Sequence, residues 1–294
     1  MVSKNPGYRE IFEAHSGKLS DKWSLYLDVY QEFLEPRRKD IKHMLEIGVQ
    51  NGGSLAIWAK YFPEAESIIG IDIEPKCALL TYPDYRIKVL IGDAGSRGFL
   101  KENSKELEAL DFILDDGSHR SDHIIQAFVA LFPRLRPGGA YIIEDLHASY
   151  WPEYQGGLKE ADSSLNFLKR LIDVANSDHW LEKSKISNYL ENVHTEITED
   201  FIESIMEIRK ITFSDSLCIV EKGLNHEESR LGRRIVRGDV ASVMPEVALL
   251  DGDLCKKPTQ NSQTGETVNR VTPEWLATKI GKSLRRLTKS SGQS

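Results

Sequence analysis

The sequence predicts an α/β fold: a doubly wound, mostly parallel sheet of seven strands that closes on an antiparallel hairpin. Three observations predict it. Short β-branched apolar runs alternate with amphipathic helical patterns between residues 43 and 143, as parallel strands joined by right-handed crossovers require. Glycines and acids punctuate the ends of those runs. Two later runs, 208–213 and 217–221, flank the short turn Ser214-Asp215-Ser216, and so read as a hairpin.

In chain order, residues 1–42 form an N-terminal helical segment, with Trp23, Leu25, Tyr26, Val29, Tyr30 and Phe33 at helical spacing. Strands are expected at 43–48, 67–73, 86–91, 111–115 and 139–143, with helices at 54–61 and 119–135. The main domain therefore spans 43–225. Residues 226–271 read as a linker or extension, because 256–271 is rich in Gln, Asn, Ser, Thr and Gly. Thr272-Pro273-Glu274 is a good helix start: an N-cap, a first-turn Pro and an acid. Leu276, Ile280, Leu284 and Leu287 follow among Lys and Arg, which makes 272–294 a basic amphipathic helix and tail.

Composition bounds the function. The 294 residues carry 38 Lys+Arg against 45 Asp+Glu, a net charge of −7. Residues 256–294 carry +6 of their own, so the rest carries −13. That acidity argues against a nucleic-acid partner, which needs a basic face. The basic helix is expected to dock on its own domain, on a partner subunit, or peripherally on an anionic membrane. No apolar run is long enough for a transmembrane segment, and the polar start does not read as a signal peptide. Cys77, Cys218 and Cys255 are scattered and form neither a zinc motif nor a disulfide framework. A cytoplasmic setting is the expectation.

Two crevices are expected beyond the carboxyl ends of the strands. At the first, Glu46-Ile47-Gly48-Val49-Gln50-Asn51-Gly52-Gly53 ends the first strand. Its glycines allow close approach of a ligand, although a tight turn alone would also explain them. Asp72 lies 24 residues after Gly48 and ends the second strand, near the spacing at which an acid meets ribose hydroxyls. Gly92-Asp93 ends the third, where Asp93 is placed to accept from an adenine amino group.

The second crevice gathers Asp115-Asp116-Gly117-Ser118-His119 from the fourth strand end and Glu144-Asp145-Leu146-His147 from the fifth. Carboxylates brought together raise one another's pKa, and a cation resolves the conflict. Oxygen ligands without Cys select Mg²⁺, Mn²⁺ or Ca²⁺. Glu144 and Asp145 share one ion only if the strand has ended before them. His119, three residues after Asp116, is the candidate base. A zinc pair with His123 lacks a third nitrogen or sulfur ligand. His147, Tyr150, Trp151 and Tyr154 are candidate substrate contacts, with ordinary loop packing as the alternative.

The pattern Glu46-x-Gly48, Asp72, Gly92-Asp93 resembles the S-adenosylmethionine (SAM) site of class I methyltransferases, whose Rossmann-like sheets also end in a hairpin. Asp115-Asp116-Gly117-Ser118-His119, Ile143-Glu144-Asp145-Leu146, Ser149-Tyr150-Trp151-Pro152 and 166–173 sharpen the likeness. They resemble the metal-dependent sugar O-methyltransferases of macrolide biosynthesis, the mycinamicin 3″-O-methyltransferase type, over residues 19–225. The family that includes cephalosporin hydroxylase components shares much of the pattern. The resemblance implies that Glu46, Gly48, Asp72, Asp93 and Asp115 bind SAM. It implies that Asp116, Glu144 and Asp145 hold Mg²⁺ or Mn²⁺, and that His119 is the base. The acceptor is then a sugar hydroxyl of a natural product or surface glycan, and a homo-oligomer is expected. A catechol-like diol acceptor, a nicotinamide-dependent oxidoreductase and a non-catalytic scaffold are the competing readings.

Overall fold

Alternation of side chains along each strand dictates a sheet that buries both faces, and two apolar layers are what form. The computed structural model describes residues 6–180, 186–190, 193, 195–224 and 230–255. Strands β1 (His43–Ile47), β2 (Ser67–Asp72), β3 (Ile87–Ile91), β4 (Leu110–Asp115), β5 (Leu135–Ile143), β6 (Ile208–Ser214) and β7 (Leu217–Lys222) make one sheet in the order β3-β2-β1-β4-β5-β7-β6. The first five pair in parallel, and β7 runs antiparallel to both β5 and β6. The doubly wound sheet and its closing hairpin are therefore as the sequence predicts.

Helices α1 (Tyr8–Glu13), α2 (Ser24–Leu34), α3 (Gly53–Tyr61), α4 (Arg97–Glu102), α5 (Ser121–Leu131), α6 (Ser164–Ala175), α7 (Ile186–Tyr189) and α8 (Glu199–Ile205) flank it. Leu45, Ile47, Ile113, Tyr141 and Ile143 feed the layer under α5, α6 and α8. Their strand neighbours Met44, Phe112, Leu114, Ala140 and Ile142 feed the opposite layer, shared with α1, α2 and α3. That second layer is aromatic: Trp58 stacks on Tyr8 at 4.4 Å and on Phe62 at 5.5 Å.

Register sets where the site lies. Ile47 of β1 is level with Ile71 of β2 and Asp115 of β4, and Asp115 is level with Ile143 of β5. The carboxyl ends thus form one rim, and the strand order turns at β1, the switch point at which ligands bind.

Boundaries shift from the sequence reading in two places. The helix expected over 119–135 is α5 followed by a 3₁₀ turn at Phe132–Arg134, because Pro133 has no N–H to continue the helix. The last parallel strand begins at Leu135 rather than at 139 and absorbs a register shift opposite Leu110 and Phe112. Within the expected linker, Arg233 and Leu254 form a bridge and Pro245–Leu250 is a 3₁₀ turn. The basic amphipathic helix and the linker from 256 onward lie outside the described residues. Among the described residues no helix is long and apolar enough to cross a membrane.

Trp58 is fully buried among rings. Trp58→Ala is therefore expected to cost about 3–5 kcal/mol of stability in urea unfolding; a loss below about 1 kcal/mol would show that this layer repacks freely.

Candidate active site

A left-handed backbone shapes the first crevice. Gly48 has φ 90° and Gly52 has φ 80°, and in the loop between them Gln50 adopts a left-handed φ of 49° without being glycine. Asp72 fixes it from β2: one carboxylate oxygen accepts from the N–H groups of Val49 and Gln50, and the other from that of Glu74. Burial alone pushes the Asp72 carboxyl up, but these N–H donors outweigh it and hold it below its ordinary value. Asp93 is exposed beyond β3 and caps its own turn at Gly95.

Glu46 lies behind this wall. It is wholly buried and accepts from Ser54 Oγ at 2.8 Å and Trp58 Nε1 at 3.5 Å. Burial pushes its carboxyl up to about 7, against the pull of Lys22 and Ser54. Asp115 is likewise buried, accepts from Tyr141 OH at 3.1 Å and Gly117 N at 3.3 Å, and is raised to about 7 by burial.

The second crevice opens on the same cleft, of about 1140 Å³, whose lining includes Gly48, Asp72 and Asp93 together with Asp116, His119 and Asp145. Asp115, Glu144 and His147 also line it, whereas Glu46, Tyr150 and Trp151 do not. Strand β5 ends at Ile143, and Asp145 takes a left-handed φ of 53°. The strand has ended before the paired acids, and both face the cleft. Single oxygen or nitrogen atoms of Asp116, His119 and Asp145 lie within 4.8 Å of one another. His119 Nε2 is 3.5 Å from Asp145 Oδ2. His123 instead meets Ser118 Oγ at 2.7 Å.

Sequence reasoning missed the partners that α2 and the segment before it supply. Lys22 Nζ donates to Asp116 and, at 3.0 Å, to Glu144; its side chain is 2% exposed. Tyr30 OH donates to the other oxygen of Glu144. Tyr26 OH and Trp23 Nε1 both donate to Asp145 Oδ1, at 2.8 and 3.1 Å. For the two tyrosines the available signal was their four-residue spacing, which sets one face of α2. Burial raises Glu144 to about 7 although Lys22 pulls it down, and burial likewise raises Asp116. Burial alone would lower Lys22, but Glu144, Asp116 and Glu46 drive it well above its ordinary value.

Rings continue from the cleft wall. Trp23 meets His147 edge-on at 6.2 Å, His147 meets Trp151 at 4.9 Å, and Trp151 meets Tyr154 at 6.0 Å. Trp23 and Trp151 are 61% and 47% exposed, so this row presents apolar faces at the mouth.

Glu46 dictates a pH dependence. In the folded chain it holds its proton up to about 7, whereas the unfolded chain releases it near the ordinary 4.5. The folded chain binds more protons between those values, so stability falls as pH rises through that window. Glu46→Gln is expected to flatten the decline of Tm from about pH 5 to pH 7; a slope equal to that of the wild type would refute the assignment. Gly48→Ala is expected to destabilise by more than the roughly 1–3 kcal/mol that a strained backbone costs, because its Cβ would sit 2.0 Å from Asp116 O. Chemical unfolding measures it.

The chain is similar to known methyltransferases. Residues 45–146 match the methyltransferase domain family. Demethylmacrocin O-methyltransferase of Streptomyces fradiae is 31% identical over 231 residues, 74% of this chain and 54% of that protein. The 8-demethyl-8-alpha-L-rhamnosyl tetracenomycin-C 2'-O-methyltransferase of Streptomyces olivaceus is 37% identical over 164 residues, 52% of this chain and 42% of that protein. Mycinamicin VI 2''-O-methyltransferase of Micromonospora griseorubida is 37% identical over 154 residues, 49% of this chain and 37% of that protein. Among solved structures, the MycE methyltransferase of the mycinamycin biosynthetic pathway, in complex with Mg and SAH, superposes with a TM-score of 0.62 at 28% identity. The match covers 75% of this chain and 55% of that one. The chain thus spans about half the length, or less, of the curated relatives it matches. It carries a class I methyltransferase domain and resembles the sugar O-methyltransferases of macrolide biosynthesis.

Proposed function

We propose that the chain is a SAM- and divalent-metal-dependent O-methyltransferase acting on a sugar hydroxyl of a natural product or surface glycan. The observation that carries the reading is one cleft lined both by Gly48 and Asp72 of the glycine turn and by Asp116, His119 and Asp145. The names of the relatives, O-methyltransferases of rhamnosyl tetracenomycin and mycinamicin among them, support the reaction class. The Mg and SAH in the MycE complex support the cofactors.

The residues fit both groups. Ser20 Oγ is buried without a hydrogen-bond partner, and Ser20 lines the cleft. Asp72, held below its ordinary pKa by backbone N–H donors, would meet the ribose hydroxyls. For the metal, the donors are hard carboxylate oxygens, and the cluster already pairs with a cation, the ammonium of Lys22. Asp116, Glu144 and Asp145 would hold the ion.

When bound, SAM would supply the methyl group as a sulfonium, and the divalent ion would polarise the acceptor oxygen, worth several kcal/mol. The protein positions the acceptor in line, and holding both reactants supplies about 7–11 kcal/mol. A sugar hydroxyl is a weak acid, so the transfer also needs a base. His119 takes that proton, with Asp145 beside Nε2 to orient the ring and stabilise the charged imidazole. Trp151 and His147 give a ring-lined approach to which the apolar face of a sugar can pack.

His119→Ala is expected to lower turnover about 10²–10⁴-fold while affinity for S-adenosylhomocysteine and for Mn²⁺ stays within about twofold. A parallel loss of Mn²⁺ affinity would make His119 a ligand instead of the base. Calorimetric titration of S-adenosylhomocysteine, in Mg²⁺ and again in EDTA, should give micromolar or tighter binding; none in either buffer would overturn the proposal. A panel of sugar and catechol acceptors then reads the substrate class.

A further inference from the structure

The segment that delivers Lys22 is built, not draped. Gly53 N donates to Leu19 O at 3.1 Å, and Lys18 Nζ donates to Thr81 O at 2.7 Å. A Cβ on Gly53 would lie 2.3 Å from Lys18 O and 2.4 Å from Leu19 O, so this strap lies directly on the start of α3. Four residues later, Lys22 turns inward and buries its ammonium between Asp116 and Glu144. Burying an ammonium is unfavourable unless it is fully paired. A lysine whose task was only surface solvation would extend into water.

Asp116 and Glu144 are also two of the three carboxylates assigned to the divalent ion. Among the described ion pairs, Lys22 is the one ammonium or guanidinium paired with either. The same oxygen atoms cannot ligate an ion at close range while they hold an ammonium, because the two cations repel one another across a partly buried site.

We propose that Lys22 is an internal competitor of the divalent ion. Its ammonium holds Asp116 and Glu144 in the metal-free protein, and the ion binds by displacing it. The inference rests on the assignment of these acids to the metal. Lys22 is then a positioning residue. It keeps the carboxylates aligned without the ion, and it sets the apparent metal affinity, because affinity falls with the fraction of protein in the competent state. Trp23 adjoins it and bonds Asp145, so displacement also reaches the mouth of the cleft.

The test is Mn²⁺ binding, read from the paramagnetic resonance of free Mn²⁺, with S-adenosylhomocysteine present. Lys22→Gln and Lys22→Met are each expected to bind Mn²⁺ at least tenfold more tightly than the wild type. Equal or weaker binding would overturn the proposal. A second readout uses the wild type and does not depend on a variant folding. Acetylation of Lys22 by acetic anhydride, followed by mass spectrometry, is expected to be at least fivefold faster in Mg²⁺ than in EDTA, and equal or slower labelling overturns the displacement. An Asp116→Asn, Glu144→Gln double variant separates the two levels. If it binds Mn²⁺ as the wild type does, the assignment of the acids to the metal fails, and the competition fails with it. If it has lost Mn²⁺ while the Lys22 variants show no gain, the competition alone fails.

Discussion

Carboxylates from two adjacent strand ends cannot face one another in a half-buried cleft without a positive partner. The rest of the site depends on that constraint. Parallel register sets Asp115 level with Ile143, so the residues that follow, Asp116 on one strand and Glu144 and Asp145 on the other, emerge together. The fold could separate these groups only by abandoning the register that aligns its core. It brings a cation and three hydroxyl or indole donors to them instead: Lys22, Tyr30, Tyr26 and Trp23.

The acids at the cleft and those behind it meet opposite electrostatic problems. Asp72 is kept charged by three backbone N–H donors at a strand-to-helix turn. Glu46 and Asp115 stand farther inside and are raised toward neutrality by burial. Both accept from side chains of the wall, Glu46 from Ser54 and Trp58 and Asp115 from Tyr141, and so hold it in place. Glu144, just beyond β5, sits between these cases, buried yet matched to an ammonium.

Much of this was legible in the sequence, for local reasons. Strand ends show because β-branched runs stop at Gly or Asp, and the order of the crossovers follows from the alternation. The crevice residues Gly48, Asp72, Asp93, Asp116, His119, Glu144 and Asp145 lie at those ends and meet in one cleft. What was not legible spans distance or depends on backbone state. Lys22 meets acids 94 and 122 residues away, and no local periodicity encodes such a pairing. Gln50 and Asp145 adopt left-handed backbone without being glycine, which is a property of their surroundings and not of their type. Trp58 and Ser54 claim Glu46 by packing behind the wall, which a motif read along one strand does not reveal.

The N-terminal helices therefore belong to the chemistry as much as to the core. Tyr26 and Tyr30 are one turn apart on α2 and meet successive acids, Asp145 and Glu144. The same helix buries Leu27 and Leu34 in the aromatic layer with Trp58. Its apolar face fixes its position against α1 and α3, and that position aims its hydroxyls at the rim of the sheet. A change in the aromatic layer would reach the acids through α2, with no alteration of any group in the cleft. Conversely, neutralising Glu144 would remove a partner from both Lys22 and Tyr30 and loosen the strap where it enters α2. Packing and ion pairing are thus coupled through one helix, and the geometry of the acid cluster is only as well defined as the seating of that helix on the sheet.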